Sequence, residues 1–187
     1  MGCRSEPAAV RTCAVHTCEV ELDELVGVGV LLGAPKAFLA PVPGPPLAGM
    51  PYPRGNVQWD VVAAGGVSIV LDLSGLPCSY DCTPIPRVPF DLEDLADERV
   101  PHDEKQQRKL VRRAVDEIAR TRAALKGVLI HCDGGRGRTG TVLGAYLVTL
   151  GYAPSAVTNW LNWLHELRGR PGWPESCWQS DLLEEFQ

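Results

Sequence analysis

One short segment in the C-terminal half combines a thiol, four glycines and two arginines within ten positions, reading HCDGGRGRTG from residue 131 to residue 140. Glycines let a backbone curl so that successive N–H groups point at one spot, which creates an anion cradle. A helix starting at Arg138 adds its positive N-terminal end and a planar guanidinium fork. The pattern therefore predicts a phosphate site formed by Arg138 and the preceding loop, which consists of Asp133, Gly134, Gly135, Arg136 and Gly137.

Cys132 stands at the start of this loop, directly under the predicted phosphate. A thiol at a helix N-terminus beside an arginine ionises readily, and the thiolate is the nucleophilic form. Cys132 is then placed for in-line attack on phosphorus, giving a phosphocysteine that water hydrolyses. Arg138 stabilises the equatorial oxygens in both transition states, and the Thr139 hydroxyl donates to the departing sulfur. We expect this chemistry to need neither a metal ion nor a cofactor.

The segment resembles the His-Cys-x5-Arg-Thr-Gly signature of the cysteine-based protein tyrosine and dual-specificity phosphatases. The resemblance covers Val26 to Phe186 and is greatest for the compact group that contains the kinase-associated phosphatase. It implies phosphomonoester hydrolysis, with His131 ordering the loop from behind and Gln179 helping to position water. It also implies a phosphoprotein substrate, phosphotyrosine first and phosphoserine or phosphothreonine as further candidates, and a kinase as a partner.

Dephosphorylation needs an acid that protonates the leaving oxygen and then acts as a base on water. The resembled tyrosine phosphatases carry an aspartate four residues before a proline in a mobile loop, and Asp97 precedes Pro101 by that spacing. We predict Asp97 as this acid and base, with Asp94 or Asp91 taking the role if the loop folds differently. Asp103 is predicted to cap the following helix.

The first and fourth loop positions bear on the substrate. Phosphoinositide-directed relatives commonly place lysines there, whereas this chain has Asp133 and Arg136. Because a carboxylate repels additional phosphates, a protein phosphoester is the first prediction and a phosphoinositide or inositol phosphate the alternative. A module that binds phosphoproteins without turnover is a second alternative, but such modules usually lack the cysteine, the arginine or the acid.

The cysteines do not indicate a disulfide framework, because there are seven of them and no secretory signal. Cys78 and Cys82 have a spacing that suits zinc but lack a second ligand pair. We hypothesise instead that one of them forms a protective disulfide with Cys132 under oxidation.

The elements around the motif alternate strand, helix and strand, which predicts an α/β domain with a central, mainly parallel sheet flanked by helices. Val67–Leu73 and Gly127–Ile130 are predicted as buried strands, and a 3.6-residue period from Asp103 to Lys126 predicts an amphipathic helix. Further predictions are one or two strands in Val26–Ala40 and helices at Asp60–Ala64, at Arg138–Leu150, from Pro154 and at Ser180–Phe186. Their predicted inward stripes are Leu110, Val111, Ala114, Val115, Ile118 and Leu125 in the long helix, and Val157, Trp160, Leu161, Leu164 and Leu167 in the helix from Pro154.

Length and net charge limit the number of domains and the classes of binding partner. The 187 residues suit one domain, predicted at 23–187 after a loose tail at 1–22, with a proline-rich surface loop at 41–53. A net charge of -5 argues against nucleic-acid binding. No run approaches the roughly 20 apolar residues of a membrane span, so we expect a cytoplasmic protein without a membrane anchor.

Overall fold

Five strands form one sheet in the part of the chain that the structure, a computed structural model, describes, namely residues 33–55 and 57–187. They are β1 (Phe38–Leu39), β2 (Leu47–Met50), β3 (Val67–Asp72), β4 (Arg87–Pro89) and β5 (Gly127–His131). The order is β1-β2-β5-β3-β4, and only the β1–β2 pair is antiparallel. The predicted α/β class with a mainly parallel sheet is confirmed, whereas the predicted tail at 1–22 and residues 26–32 of the first strand region lie outside the described residues.

The helices of the described part follow the predicted order. They are α1 (Trp59–Ala64), α2 (Glu104–Ala123), α3 (Gly137–Thr149), α4 (Pro154–Leu167) and α5 (Cys177–Leu183), followed by a 3-10 turn at Glu184–Phe186. Asp103 caps α2 as predicted, since its carboxylate accepts the backbone N–H of Gln106 at 2.9 Å. The prediction at Ser180–Phe186 was displaced, because α5 begins three residues earlier and tightens into the 3-10 turn. None of these helices is long and apolar enough to cross a bilayer.

Side chains of the central strands alternate between two cores, as the two-residue period of a strand requires. Leu71 of β3 and Ile130 of β5 face the larger core, which α2 to α5 cover. Val70 and Leu129 face the smaller core, which α1 and the loop after β3 cover. The sheet is therefore buried on both faces, which accounts for the mainly apolar sequences of β3 and β5.

The proline-rich stretch 41–53 is not wholly a surface loop, and this prediction was wrong. Leu47–Met50 forms β2, whose four residues are all buried and pair in parallel with β5. Prolines end the run on both sides, at Pro46 and Pro51, but the four residues between them keep their N–H groups and join the sheet.

Two leucines depart from the predicted stripes, while the other members of both stripes are buried. Leu125 is 82% exposed because α2 ends at Ala123, and Leu167, the last residue of α4, is 51% exposed. Periodicity holds only as far as the helix itself continues.

The parallel strands β2, β3 and β5 point their carboxyl ends to one edge of the sheet. Met50, Asp72 and His131 end these strands, and the HCDGGRGRTG segment continues from β5 at the same edge. Open α/β sheets bind ligands at this edge.

Candidate active site

The loop between β5 and α3 surrounds the sulfur of Cys132. Cys132 is 2% exposed, and its Sγ accepts the backbone N–H of Gly135 at 3.2 Å and the Thr139 hydroxyl at 3.2 Å. Two donors, from the loop and from α3, are directed at one sulfur atom. The structure thus brings the predicted nucleophile and the predicted donor Thr139 together at the start of α3.

The loop is seated on the end of β2. Gly135 has φ +65°, and a Cβ atom there would lie 2.3 Å from the backbone nitrogen of Pro51 and 2.4 Å from the carbonyl carbon of Met50. The backbone N–H of Tyr52 also donates to the carbonyl of Asp133 at 2.9 Å. Only glycine fits position 135, because both the backbone conformation and the close approach exclude a side chain.

Arg138 holds its guanidinium group at the carboxyl edge of the sheet and is 8% exposed. Its Nη1 donates to the carbonyl of Ser74 at 3.0 Å and lies 3.4 Å from the carbonyl of Leu92. Its Nη2 donates to Oδ2 of Asp94 at 2.8 Å. The fork is therefore fixed between the end of β3 and the loop that carries the three candidate acids.

The three candidate acids occupy different positions in that loop. Asp94 pairs with Arg138, and its side chain is 49% exposed. Asp91 lies against Gly75, where an added Cβ would stand 2.2 Å from its Oδ1. Asp97 is exposed with φ 61°, and within the described residues its carboxylate has no hydrogen-bond or ion-pair partner. Of the three, Asp94 is the carboxylate that the structure places on the predicted phosphate ligand.

His131 lies behind the loop, fully buried. Burial lowers its pKa, although the nearby carboxylate of Asp72, 3.7 Å from Nε2, acts in the opposite direction. The hydroxyl of Tyr80 lies 2.5 Å from the same Nε2, and burial together with Asp72 raises the pKa of that hydroxyl. A protonated Tyr80 donating to Nε2 leaves the proton of a neutral imidazole on Nδ1, which faces the carbonyl of Cys132 at 3.4 Å. Sequence reasoning missed Tyr80, which lies in the loop after β3 and meets His131 only through the fold.

The other end of the loop is tied to the chain before α5. Arg136 donates from Nε and Nη2 to Oε1 of Glu175, at 2.7 and 2.6 Å, and from Nη1 to the carbonyl of Gly172 at 3.2 Å. Gln179 is buried and accepts the backbone N–H of Glu175 at 2.8 Å, while its Nε2 has no hydrogen-bond partner in the described chain. Gln179 thus reaches the site region, and Glu175, which sequence reasoning missed, neutralises Arg136.

A cavity of about 280 Å³ opens beside the first two loop residues, Asp133 and Gly134. Lys36, Arg54 and Arg170 line it together with the end of β2. Arg54 forms an ion pair with Asp133, and Nη1 of Arg170 donates to the carbonyl of Gly134 at 3.0 Å.

The remaining sequence hypotheses concern metals and cysteine oxidation. No group of three or more metal-ligating side chains occurs among the described residues. Cys78 and Cys82 are free thiols whose sulfurs lie 3.1 Å from the carbonyls of Tyr80 and Ile85, respectively. A disulfide with Cys132 stays a prediction.

Comparison with known proteins agrees with this geometry. The family model described as "PTP-SAK: Swiss Army Knife protein, DSP-PTPase phosphatase domain" matches residues 38–171, more than half of the chain. No curated protein matches at a significant level.

Solved structures of similar fold differ in what they bind. Tk-PTP is 25% identical, with a TM-score of 0.58 over 79% of this chain and 93% of its own. PTPMT1, solved in complex with PI(5)P, is 17% identical, with a TM-score of 0.52 over 75% of this chain and 88% of its own. The core catalytic domain of the PP-IP phosphatase SIW14 from S. cerevisiae is 15% identical, with a TM-score of 0.55 over 75% of this chain and 80% of its own.

Proposed function

Because the chain belongs to the family of dual-specificity phosphatase domains whose model spans residues 38–171, we propose that it hydrolyses phosphomonoesters through a phosphocysteine on Cys132. The observation that carries this proposal is the arrangement around one buried sulfur, which accepts hydrogen bonds from Gly135 and Thr139 at the N-terminus of α3. The guanidinium of Arg138 follows on the first turn of the same helix.

In the first step the Cys132 thiolate attacks phosphorus, the S–P bond forms and the P–O bond to the leaving group breaks. The loop N–H groups and Arg138 bind the three equatorial oxygens and stabilise their charge in the transition state. The leaving oxygen takes a proton from a carboxylic acid, which lowers the barrier most for a poorly stabilised alkoxide.

We assign this acid to Asp94 in place of Asp97. The Asp94 carboxylate lies 2.8 Å from the Nη2 of Arg138, within reach of a phosphoester bound to that guanidinium. A bound phosphate dianion competes with Asp94 for Nη2, which would release the carboxyl group from Arg138 beside the leaving oxygen. Asp97, exposed and unpartnered in the described chain, competes for the role only if its loop moves inward.

In the second step Asp94 accepts a proton from water as the water oxygen bonds to phosphorus and the S–P bond breaks. The departing sulfur carries the negative charge, and the hydroxyl of Thr139, 3.2 Å away, donates to it. Inorganic phosphate leaves and the thiolate is restored.

The substrate proposed from the sequence is a phosphotyrosyl protein, with phosphoserine and phosphothreonine as further candidates and a kinase as a partner. The negative charge of Asp133 disfavours polyphosphorylated substrates, but its ion pair with Arg54 offsets that charge. Inositol phosphates and phosphoinositides therefore stand beside protein phosphoesters as candidates.

The test of the mechanism is turnover of aryl phosphates with EDTA present. We expect wild-type hydrolysis, complete loss in Cys132→Ser, and a covalent phosphoenzyme that rapid acid quench traps from the wild type. Turnover that persists in Cys132→Ser would refute the mechanism.

The acid is identified by comparing Asp94→Asn with the matched variant Asp97→Asn on two substrates. We expect Asp94→Asn to lower kcat for phenyl phosphate by about a hundredfold or more, since general acids contribute roughly that much. The loss is smaller for p-nitrophenyl phosphate, whose leaving group needs less protonation. A larger loss in Asp97→Asn, with the same dependence on the leaving group, would move the acid to Asp97.

A further inference from the structure

Arg136, the cation at the fourth loop position, is not available to a substrate. Its guanidinium donates to the Glu175 carboxylate through two nitrogens and to the carbonyl of Gly172 through the third. The Arg136 side chain is 19% exposed and that of Glu175 15%. A largely buried ion pair, in which two nitrogens donate to one carboxylate oxygen, is costly to open, so this side of the loop offers little charge to a substrate.

The opposite side of the loop carries an excess of positive charge. The cavity beside Asp133 holds three cations, Lys36, Arg54 and Arg170, against this one carboxylate. Because Arg54 is paired with Asp133, the uncompensated charges are those of Lys36 and Arg170. Neither has a carboxylate partner within the described residues, and the one side-chain hydrogen bond of Arg170 goes to the neutral carbonyl of Gly134.

Two neighbouring groups also feel the positive charge of these arginines, although burial is the larger cause of their pKa shifts. Burial and, to a smaller extent, the charge of Arg170 together lower the pKa of Arg168 to about 10. Burial lowers the pKa of His165 to about 3, with contributions from Arg168, Arg136 and Arg170. Where cations repel one another, a bound anion relieves the repulsion and its binding is favoured.

We propose that the cavity beside Asp133 binds a second phosphate of the substrate, through Lys36 and Arg170, while the first phosphate reacts at Cys132. This inference rests on the proposed function and adds to it a substrate class, a molecule with two closely spaced phosphomonoesters.

Spacing and volume support a compact arrangement of the two phosphates. Asp133 and Gly134 directly follow Cys132, and adjacent Cα atoms are about 3.8 Å apart, so the cavity begins within one or two residues of the reacting sulfur. Its volume of about 280 Å³ accommodates a phosphate with part of a ring or a short peptide segment. Met50 to Pro53, at the end of β2, line this cavity, and Met50 and Pro51 also lie against the loop at Gly135.

The experiment compares a bisphosphate with a monophosphate on one scaffold, resorcinol bisphosphate and phenyl phosphate, by kcat/KM. A bisphosphate carries two reactive groups, so the ratio of its kcat/KM to that of phenyl phosphate is about two without any second site. Binding of the second phosphate raises this ratio further. We expect a wild-type ratio of at least about tenfold, the equivalent of about 1.4 kcal/mol, declining as salt is added.

The variants Lys36→Gln and Arg170→Gln test the cations, and Lys126→Gln is the matched control. Lys126 is exposed and precedes the amino end of β5, at the sheet edge opposite the loop. We expect the ratio to fall several-fold in each of the first two variants and to stay unchanged in the control. Asp133→Asn is expected to raise the ratio, because it removes the negative charge from the cavity.

The outcomes separate the two proposals. Phenyl phosphate turnover with a ratio near two, or a high ratio that survives both cation substitutions, overturns the second-phosphate site and leaves the phosphatase mechanism intact. Absence of turnover on both substrates overturns the mechanism itself.

A second arm identifies the source of the paired phosphates, using inhibition of phenyl phosphate turnover. Inositol bisphosphate is compared with inositol monophosphate, and a doubly phosphorylated peptide with its singly phosphorylated form. If the doubly phosphorylated compound of a pair inhibits more strongly, and Lys36→Gln removes this difference, the second-phosphate site is supported for that class of molecule. Equal inhibition within both pairs overturns it for both classes.

Discussion

Replacing Gly135 with alanine tests whether the close contact between the loop and β2 sets the geometry of the reacting sulfur. At φ +65° an alanine costs about 1–2 kcal/mol in backbone strain, and its Cβ would stand 2.3 Å from the nitrogen of Pro51. To reach an ordinary contact distance of 3.4 Å, the loop and β2 must move apart by about 1 Å. A displacement of this size at a reacting group lowers the rate roughly a hundredfold. Because the Gly135 N–H donates to Cys132 Sγ, the shift falls on the nucleophile itself.

The neighbouring residue supplies the control. A Cβ at Gly134 would meet only Nη1 of Arg170, at 3.9 Å, and no positive φ is involved. In aryl phosphate turnover and thermal unfolding we expect Gly135→Ala to lose about a hundredfold in kcat with a lower Tm, and Gly134→Ala to stay within a few-fold of wild type. Gly135→Ala with wild-type kcat, or equal losses in both variants, would refute the reasoning.

Two further predictions concern buried groups. Thr139→Val removes the hydroxyl 3.2 Å from Cys132 Sγ and should slow phosphocysteine hydrolysis by about a hundredfold, whereas Thr139→Ser keeps the hydroxyl and the rate. We therefore expect a pre-steady-state burst of aryl alcohol in the valine variant and none in the serine variant. No burst in the valine variant would contradict this role of Thr139. Burial, then the charge of Arg168, lowers the pKa of His165 from 6.5 to about 3, so the unfolded chain takes up this proton first as the pH falls. His165 should therefore lower the free energy of unfolding by about 2 kcal/mol between about pH 7 and about pH 5. In urea unfolding, His165→Gln should lose that much less stability than the wild type over the same pH range. An equal loss of stability in both proteins would contradict a lowered pKa of His165.

The parts of the site that the sequence predicted are contiguous in the chain. The strand, the glycine-rich loop and the helix that follow one another from Gly127 to Thr149 form a single local unit. Cys132, Gly135, Thr139 and their mutual hydrogen bonds all lie within it, so a motif and a hydrophobic period sufficed to predict their meeting.

The parts that sequence reasoning missed depend on contacts between distant segments. Tyr80 meets His131 only because the loop after β3 covers the second face of the sheet. Glu175 meets Arg136 across 39 positions. Our proposal of Asp94 in place of Asp97 rests on the contact between Asp94 and Arg138, and spacing to a proline carries no information on such a contact.

The phosphate cradle itself does not select among phosphomonoesters, because loop N–H groups and Arg138 contact only the phosphoryl oxygens that all of them share. Selection has to come from groups around the loop, and these are unequal. Glu175 neutralises Arg136 on one side, whereas Lys36 and Arg170 lack a carboxylate partner in the described chain on the other. A second phosphate on the cavity side therefore gains binding energy both before and during the chemical step, so it lowers KM and leaves kcat nearly unchanged.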